Sequence, residues 1–312
     1  MRTKLAIAPL LGASTLLSAA AGVATASEYA FSTYALGSNA FGAGITPPAG
    51  TYLTTVSSYY PAKISGELDF GGVLLNAGAK IDGFASALNL LYVPSTQILG
   101  GNLGLSVTVP VGHLDIKATV DTDQNTVSRQ TDGWGLGDTV PKLQLGWQHG
   151  DFAHTLYVQG TIPTGRWQRG FSPIIGLHRP SIDTGWAFTW ADKPTKLQFN
   201  GVAGVTFNFE NTETNYKSGT EFHFEWAIGY EIAQGFLIGV VGYDYRQLTG
   251  DSGEGARLGS FKGRVDAIGP GLSYTTMIGD RPLTLNLRNY QEYNAKRRWE
   301  GNATIGSATL RF

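Results

Sequence analysis

Ionisable side chains at every second position of one segment are the residues of this sequence best arranged for chemistry. Glu221, His223 and Glu225 have this spacing, and in a β-strand alternate side chains point to the same face. A His between two carboxylates could transfer protons or select a solute, but nucleophilic catalysis also needs a nucleophile beside the base. The chain has no Cys and neither a GxSxG nor an HExxH motif. We therefore predict a protein that is not an enzyme, with lipid-modifying catalysis centred on His223 as the least favoured alternative.

A second group of candidates lies in a polar, glycine-rich stretch, residues 164–183. It combines basic and aromatic side chains: Arg166, Trp167, Arg169, Phe171, His178 and Arg179. Such a loop could fold inward as a gate for a ligand, or it could be a surface loop that binds lipopolysaccharide phosphates. No metal or cofactor is predicted, because Asp251–Gly255 lacks the spaced oxygen ligands of an EF-hand and no glycine motif follows a βαβ pattern.

The segments that must position these residues show strict alternation of apolar and polar side chains. One set of alternating positions between 196 and 210 is apolar: Leu197, Phe199, Gly201, Ala203, Val205, Phe207 and Phe209. The intervening set is mostly polar, and residues 220–232 repeat the pattern with Phe222, Phe224 and Trp226 on the apolar face. These segments are longer than the roughly five or six residues usual for soluble strands. The pattern indicates strands with one face toward lipid and one toward a lumen.

The composition favours the same fold class. The chain has 42 Gly, 12% aromatic residues and only 15% charged residues, against about 25% charged in ordinary soluble domains. Beyond the N-terminal region no apolar run reaches the length of a membrane-spanning helix. We predict an all-β fold, a transmembrane antiparallel β-barrel, since a barrel closes its backbone hydrogen bonds strand to strand in lipid.

The alternation defines about twelve strands, within a range of 10 to 14. They are expected near 50–60, 74–92, 101–118, 134–149, 152–163, 184–191, 195–210, 220–232, 235–248, 263–278, 282–293 and 302–312. Tight turns then alternate with long polar stretches at 119–133, 164–183, 211–219, 249–262 and 294–301. Short periplasmic turns and long extracellular loops are typical of outer-membrane barrels.

The two ends of the chain carry export and assembly features. Arg2 and Lys4, an apolar run to about Val23 and the small residues Ala24-Thr25-Ala26 have the layout of a signal peptide, so we expect cleavage after residue 26. Residues 27–49, with Pro47-Pro48, are expected either to plug the lumen from the periplasmic side or to form a disordered leader. Residues 50–312 form the predicted barrel.

The C-terminal strand ends in Phe312, with Leu310 on the same face. This ending resembles the signal by which the assembly machinery of the outer membrane recognises its substrates. We therefore predict that Leu310 and Phe312 are an assembly signal.

Charges within the predicted strands are expected to face the lumen, because an Arg facing lipid at midplane costs about 2–4 kcal/mol. The candidates for lining the lumen are Glu221, His223, Glu225, Asp244, Arg246, Asp266, Arg288 and Glu292. They could form a self-neutralising network that braces the lumen or a constriction that selects solutes. Glycines predicted on the inner face, Gly204, Gly229 and Gly242, favour an open interior.

Long motifs resemble the outer-membrane family named for the meta-pathway of phenol degradation. They include YALGSNAFGAGITPPAGTY (34–52), LGGNLGLSVTVPVGH (99–113), DGWGLGD (132–138), FSPIIGLHRPSIDTGWAFTW (171–190) and GVVGYDYRQLTGDSG (239–253). The resemblance spans nearly the whole mature chain, and the first motif is also distantly similar to that of long-chain fatty-acid transporters. It implies a barrel that transports hydrophobic compounds but assigns no binding residue by position.

These features together predict a passive channel in the outer membrane of a Gram-negative bacterium, with small apolar or aromatic compounds passing through its lumen. A closed structural or adhesion barrel with a filled lumen is the alternative. The expected partners are outer-membrane lipids, lipopolysaccharide, the assembly machinery and the solute. Without Arg2 and Lys4 the 23 basic residues fall to 21 against 24 acidic ones, a net charge near −3 that argues against a nucleic-acid partner.

Overall fold

A computed structural model describes residues 26–70, 73–121, 126–168 and 175–312 of the chain. They form one antiparallel sheet. Its strands are β1 (Gly50–Phe70), β2 (Val73–Val93), β3 (Asn102–Asp121), β4 (Thr126–Leu136), β5 (Val140–His149), β6 (Phe152–Thr161), β7 (Ser181–Asp192), β8 (Leu197–Asn208), β9 (Glu221–Ala233), β10 (Phe236–Gln247), β11 (Arg264–Ile278), β12 (Arg281–Lys296) and β13 (Glu300–Arg311). No helix in the described part of the chain is long and apolar enough to cross a membrane.

The sheet closes on itself as a twelve-stranded wall. Each strand pairs with its neighbours in the chain, β13 pairs with β1, and β2 pairs with β3. Segments β4 and β5 are two parts of one wall strand, because both pair with β3. Segment β4 pairs with residues 111–121 of β3, and segment β5 pairs with residues 102–108. The predicted all-β barrel and its strand number are therefore confirmed.

Alternation along each strand separates the two faces of the wall. In β9, Glu221, His223 and Glu225 are buried, whereas Ile228 and Tyr230 on the other face are 44% and 47% exposed. Exposed apolar side chains recur on the outer face around the barrel, for example Leu105 of β3 and Val240 of β10. This outer face is the apolar band expected of a wall surrounded by lipid.

The connections differ at the two ends of the barrel. At the turn end, tight connections such as 150–151, 234–235 and 279–280 join the strands. Three long connections, 162–180, 209–220 and 248–263, lie at the loop end, which also has the short connection 297–299. Both the first residue of β1 and the C-terminus lie at the turn end, since the Phe312 N–H donates to the Thr51 carbonyl at 2.8 Å.

Two stretches predicted as long connections, 119–133 and 294–301, are mostly strand in the described residues, and β1 is longer than predicted. Only residues 297–299 separate β12 from β13. Residues 119–133 belong mainly to the β3–β4 hairpin, and residues 61–70 extend β1 beyond the predicted end at residue 60. The prediction was wrong there because the outer face of these extensions turns polar, as in Lys117 paired with Gln130, whereas their buried inner face is apolar, as at Ala62, Ile64 and Val120. The apolar outer face ends where a strand extends beyond lipid, so it cannot mark the end of a strand in water.

The wall predicts a depth-dependent cost for charge on its outer face. Val240→Arg places a cation near the middle of β10 and is expected to lower the free energy of unfolding by about 2–4 kcal/mol. Leu248→Arg, just beyond the loop-end terminus of the same strand, should cost about 0–1 kcal/mol. Denaturant titration of the protein in lipid vesicles measures both values. Equal costs for the two variants would contradict a membrane-embedded outer face.

Candidate functional site

Residues 27–46, here the luminal segment, lie inside the barrel. At the loop end, the Ala26 N–H donates to the Arg297 carbonyl at 3.0 Å. Near the turn end, the hydroxyls of Thr46 and of the inward-facing Thr155 of β6 are 2.9 Å apart. The segment therefore passes along the lumen from one end of the barrel to the other before β1 begins.

Inward carboxylates of β9 bind the luminal segment. Glu225 accepts hydrogen bonds from the Tyr34 hydroxyl at 3.1 Å and from the backbone N–H groups of Gly37 and Asn39. The Ser32 hydroxyl donates to Glu221. Hydrogen bonds to an ionised acceptor are stronger than neutral ones, so these carboxylates are the main polar anchors of the segment's first half.

Neutral side chains hold the second half of the luminal segment. The Gly42 N–H donates to the Asn200 side-chain carbonyl, and the Gly44 N–H donates to the Thr189 hydroxyl, both at 2.9 Å. Both acceptors are buried and face inward from β7 and β8. The backbone N–H groups of the luminal segment do not pair with a strand, and these side chains supply their hydrogen-bond acceptors inside the barrel.

His223 takes part in this packing. Its Nε2 is 2.9 Å from the Asp183 carboxylate, and its ring stacks on Tyr34 with centroids 3.5 Å apart. Asp183, from β7, also accepts a hydrogen bond from the Thr206 hydroxyl at 2.6 Å. Among the described residues the polar contact of the His223 ring is a carboxylate rather than a hydroxyl nucleophile, so the geometry supports a bracing role.

Two other predicted lumen residues also face inward. Glu292 accepts hydrogen bonds from the Tyr60 and Tyr243 hydroxyls, each at 2.6 Å. The Arg288 guanidinium donates to the Ser38 carbonyl of the luminal segment at 3.0 Å. Five predicted residues, Glu221, His223, Glu225, Arg288 and Glu292, therefore line the lumen.

The inward assignment of Asp244, Arg246 and Asp266 is wrong. Tyr243 and Tyr245 of β10 are buried, 3% and 1% exposed, and face the lumen, so Asp244 and Arg246 face outward, as does Asp266 of β11, which pairs with Asp244 in register. Arg246 bonds both carboxylates there, at 2.7 Å to Asp244 and 2.6 Å to Asp266. The cluster lies at the loop-end rim, where the cost of charge on the outer face falls to about 0–1 kcal/mol.

The three glycines that were expected to leave the interior open either face space that side-chain rings occupy or face outward. A Cβ at Gly229 would lie 2.9 Å from the Phe41 ring of the luminal segment, and one at Gly204 would lie 2.5 Å from the His223 ring. Gly242 faces outward beneath Trp226. The inner glycines thus accommodate rings that fill the lumen.

The loop between β6 and β7 folds onto a break in the wall. The break is residues 137–139, between β4 and β5, and it contains Asp138, which is only 7% exposed. The Asp138 carboxylate accepts hydrogen bonds from the backbone N–H groups of Gly165 at 2.9 Å, Leu177 at 2.8 Å and His178 at 3.1 Å. One carboxylate therefore fastens both arms of the loop to the wall.

Predicted gate residues of this loop contact the luminal segment. The Trp167 ring stacks on His178, and its indole N–H donates to the Tyr29 hydroxyl at 3.2 Å. Arg179 is fully buried and donates to the Phe31 carbonyl at 2.9 Å. Arg166 is exposed and donates to the Trp134 carbonyl. Arg169 and Phe171 lie outside the described residues.

The carboxyl of Glu28 lies at the loop end of the luminal segment. It accepts hydrogen bonds from the Thr214 hydroxyl at 2.7 Å and from the Asn211 amide at 3.1 Å. Burial raises the pKa of Glu28, and the hydrogen bond from Thr214 partly offsets the rise. The segment is thus held by loops as well as by the wall.

A cavity of about 380 Å³ remains between the luminal segment, strands β1–β3 and the wall break. Most of its lining is apolar, including Phe31, Tyr60, Ala85, Pro110, Leu114 and Ile175. Asp138 is the one ionisable carboxylate among the lining residues, and its oxygens bind the loop. Ligand sites of this size and polarity suit small, mostly apolar molecules.

Sequence reasoning missed Asp138 and Asp183. Asp183 continues the polar face of β7, which begins at Ser181 rather than at the predicted residue 184, so extending the alternation would have found it. Asp138 lies in the motif DGWGLGD, but its partners are residues 27 to 40 positions away. No local pattern signals such contacts.

Leu310 and Phe312 lie on the outer face at the turn end, where Leu310 pairs with Leu53 and Leu283. The structure thus places both on one face at the last strand's end. Their recognition by the assembly machinery remains a prediction.

Comparisons with known proteins agree with this fold. A family model described as "Putative MetA-pathway of phenol degradation" matches residues 64–306. The COG4313 outer membrane channel from Pseudomonas putida F1 is similar with a TM-score of 0.64 at 13% identity, over 87% of this chain and 98% of that one. This likeness shows the fold of an outer-membrane barrel, and in such barrels short turns are periplasmic and long loops are extracellular.

Two autotransporter barrels are less similar. The transport unit of AIDA-I from Escherichia coli has a TM-score of 0.43 at 8% identity, over 96% of this chain and 97% of that one. The translocator domain of NalP from Neisseria meningitidis has a TM-score of 0.40 at 9% identity, over 86% and 91%. No curated protein matches the chain.

Removal of the Asp138 carboxylate should release the loop from the wall break. Asp138→Ala leaves three backbone donors without their acceptor, and a hydrogen bond to a charged group contributes about 1.5–3 kcal/mol. Trypsin cleavage after the exposed Arg166 should therefore accelerate about tenfold or more. Asp132→Ala, in the same wall strand but with its side chain 69% exposed, is the matched control. Identical cleavage rates in the two variants would show that Asp138 does not hold the loop.

Proposed function

The chain belongs to the family described as the putative MetA pathway of phenol degradation, and on that premise we propose that it is a passive outer-membrane channel for small apolar or aromatic compounds. The observation that supports this most strongly is the apolar cavity between the luminal segment and β1–β3. Its volume of about 380 Å³ exceeds the roughly 150 Å³ of an engineered cavity that binds benzene. A solute with one or two rings fits such a space.

The chemistry of the lining favours an uncharged solute. A charged group entering the cavity would lose water, and burial of an unpaired charge is costly. Asp138 is engaged by three backbone donors, and the charged side chains of β9 are engaged by the luminal segment. An apolar compound requires no such partner and gains from leaving water.

The loop between β6 and β7 is the proposed extracellular gate. Ile175 and Leu177 of this loop line the cavity, and Asp138 binds Leu177 and Gly165. Displacement of the loop would connect the cavity with the outside of the barrel. Movement would be passive, because it follows the concentration gradient of the solute and needs no energy source in the barrel.

The filled lumen favours a second candidate, the closed structural or adhesion barrel. The luminal segment extends along the lumen between the Ala26 and Thr46 contacts. Unless this segment or the loop moves, the interior of the barrel serves only to brace the wall. Lipopolysaccharide at the extracellular rim and the assembly machinery at the C-terminal strand are proposed partners under either function. Solute uptake separates the two candidates.

Filling the cavity should block uptake. Ala85→Trp introduces an indole into the cavity from the inner face of β2, and proteoliposomes containing it should take up an uncharged aromatic solute several-fold more slowly than those with the unaltered protein. Leu88→Trp, on the lipid-facing side of the same strand and 50% exposed, should leave uptake unchanged. If the unaltered protein gives no more uptake than protein-free vesicles, the channel function is wrong and the closed barrel is favoured.

A further inference from the structure

Ser27, the first residue of the predicted mature chain, occupies a buried polar site at the extracellular end of the lumen. Its backbone N–H donates to the Asp251 carboxylate at 3.1 Å. Its hydroxyl donates to Glu221 at 2.7 Å and lies 3.2 Å from the Tyr245 hydroxyl. Both Ser27 and Asp251 are buried, at 0% and 2% exposure. The wall and an extracellular loop thus form a pocket around the backbone nitrogen and the hydroxyl of Ser27.

Asp251 is surrounded by neutral donors. Besides Ser27, it accepts hydrogen bonds from the Tyr216 hydroxyl at 2.7 Å, the Gly219 N–H at 3.0 Å and the Gln247 amide at 2.7 Å. Of the ion pairs between described residues, none includes Asp251. These four donors are all uncharged, and a cationic donor at one of these positions would form a stronger, charge-assisted hydrogen bond.

The neighbouring charges do not supply that cation. The Glu221 carboxylate adds a second negative charge beside Ser27. The Arg298 guanidinium stacks over the Tyr245 ring at 4.1 Å, and Arg179 donates to the Ser218 hydroxyl and the Phe31 carbonyl. The Ser27 nitrogen already lies 3.1 Å from the Asp251 carboxylate, so a positive charge on that nitrogen would reach it directly.

The backbone of Ser27 has a conformation that an internal residue rarely adopts. Its φ is 60° and its ψ is 143°, a combination that is unfavourable for a residue with a Cβ. The angle φ exists only when a carbonyl carbon precedes the nitrogen. If Ser27 is the first residue of the chain, this restriction disappears while the nitrogen stays beside Asp251.

We propose that removal of the signal peptide after Ala26 creates an α-ammonium group on Ser27 that binds Asp251 as its buried counter-ion. In this hydrolysis, water cleaves the amide bond between Ala26 and Ser27, Ala26 leaves as a carboxylate, and the Ser27 nitrogen takes up a proton. The site built by Asp251, Glu221 and Gln247 then recognises the new N-terminus of the same chain. Processing thereby completes the anchor of the luminal segment. This inference does not depend on channel activity.

A chemical comparison of two N-termini tests the charge itself. The mature chain beginning at Ser27 is prepared with a free amine and with an acetylated amine, which keeps one N–H donor but removes the positive charge. Hydrogen exchange of the Ala30 amide, which donates to the Ser27 carbonyl at 2.9 Å, reports docking of this end. We expect acetylation to accelerate exchange about tenfold, and equal exchange rates would overturn the proposal.

The Asp251→Asn variant tests the partner. Acetylation should have no further effect in this variant, because the counter-ion is already absent, whereas in the control Asp280→Asn, at an exposed periplasmic turn, it should act as in the unaltered chain. An acetylation effect of the same size in Asp251→Asn would contradict the pairing. If Asp251→Asn does not fold, a Ser27 amine carrying two methyl groups, which keeps the positive charge and one N–H, replaces this variant. Exchange as slow as in the free amine is then expected, and exchange as fast as in the acetylated chain would overturn the proposal.

The starting residue is itself open to direct measurement. Mass spectrometry of the protein isolated from outer membranes should show Ser27 as the first residue, with an unmodified amine. A mature chain that begins at any other residue would overturn the proposal regardless of the exchange results.

Discussion

Charged groups that a bilayer excludes from the outer face of a barrel must face its interior, and there they need partners. Strand β9 places Glu221 and Glu225 inside the wall, away from lipid. The backbone and hydroxyl donors of the luminal segment bind these carboxylates. The occupation of the lumen by the luminal segment follows from this satisfaction of inward charge, and it leaves the apolar cavity at β1–β3 beside the segment.

The alternation of side chains predicts the fold where both faces have distinct surroundings. Strands β8 and β9 lie between lipid and a polar lumen along their lengths, and their predicted bounds are within two residues of those observed. The same reasoning failed at 61–70 and 119–133, because the outer face of these strand extensions is polar and the apolar residues lie on the buried inner face, as at Ile64 and Val120. Twelve wall strands were still found, since each crosses the lipid band at least once.

The residues of the candidate site were likewise predicted correctly where the two faces of a strand differ in polarity, and incorrectly where they do not. Glu221 and His223 could be assigned to the lumen because the opposite face of β9 is wholly apolar. Asp244 was misassigned because both faces of β10 carry polar atoms near the rim, where the tyrosine rings face inward and the charges pair outside. Asp138 and Asp251 depend on contacts between loops distant in sequence, which one sequence does not encode in any local pattern.

The central claim is that the luminal segment is bound to the inner wall in the membrane. Hydrogen exchange of its backbone amides in lipid vesicles, with and without Glu225→Ala, measures this most directly. The account predicts that Asn39 and Gly42 exchange slowly in the unaltered protein, and that Glu225→Ala accelerates exchange at Asn39 while Gly42, bound to Asn200, remains protected. Exchange of both amides at the rate of an unstructured peptide, in a barrel whose strand amides are protected, would contradict it.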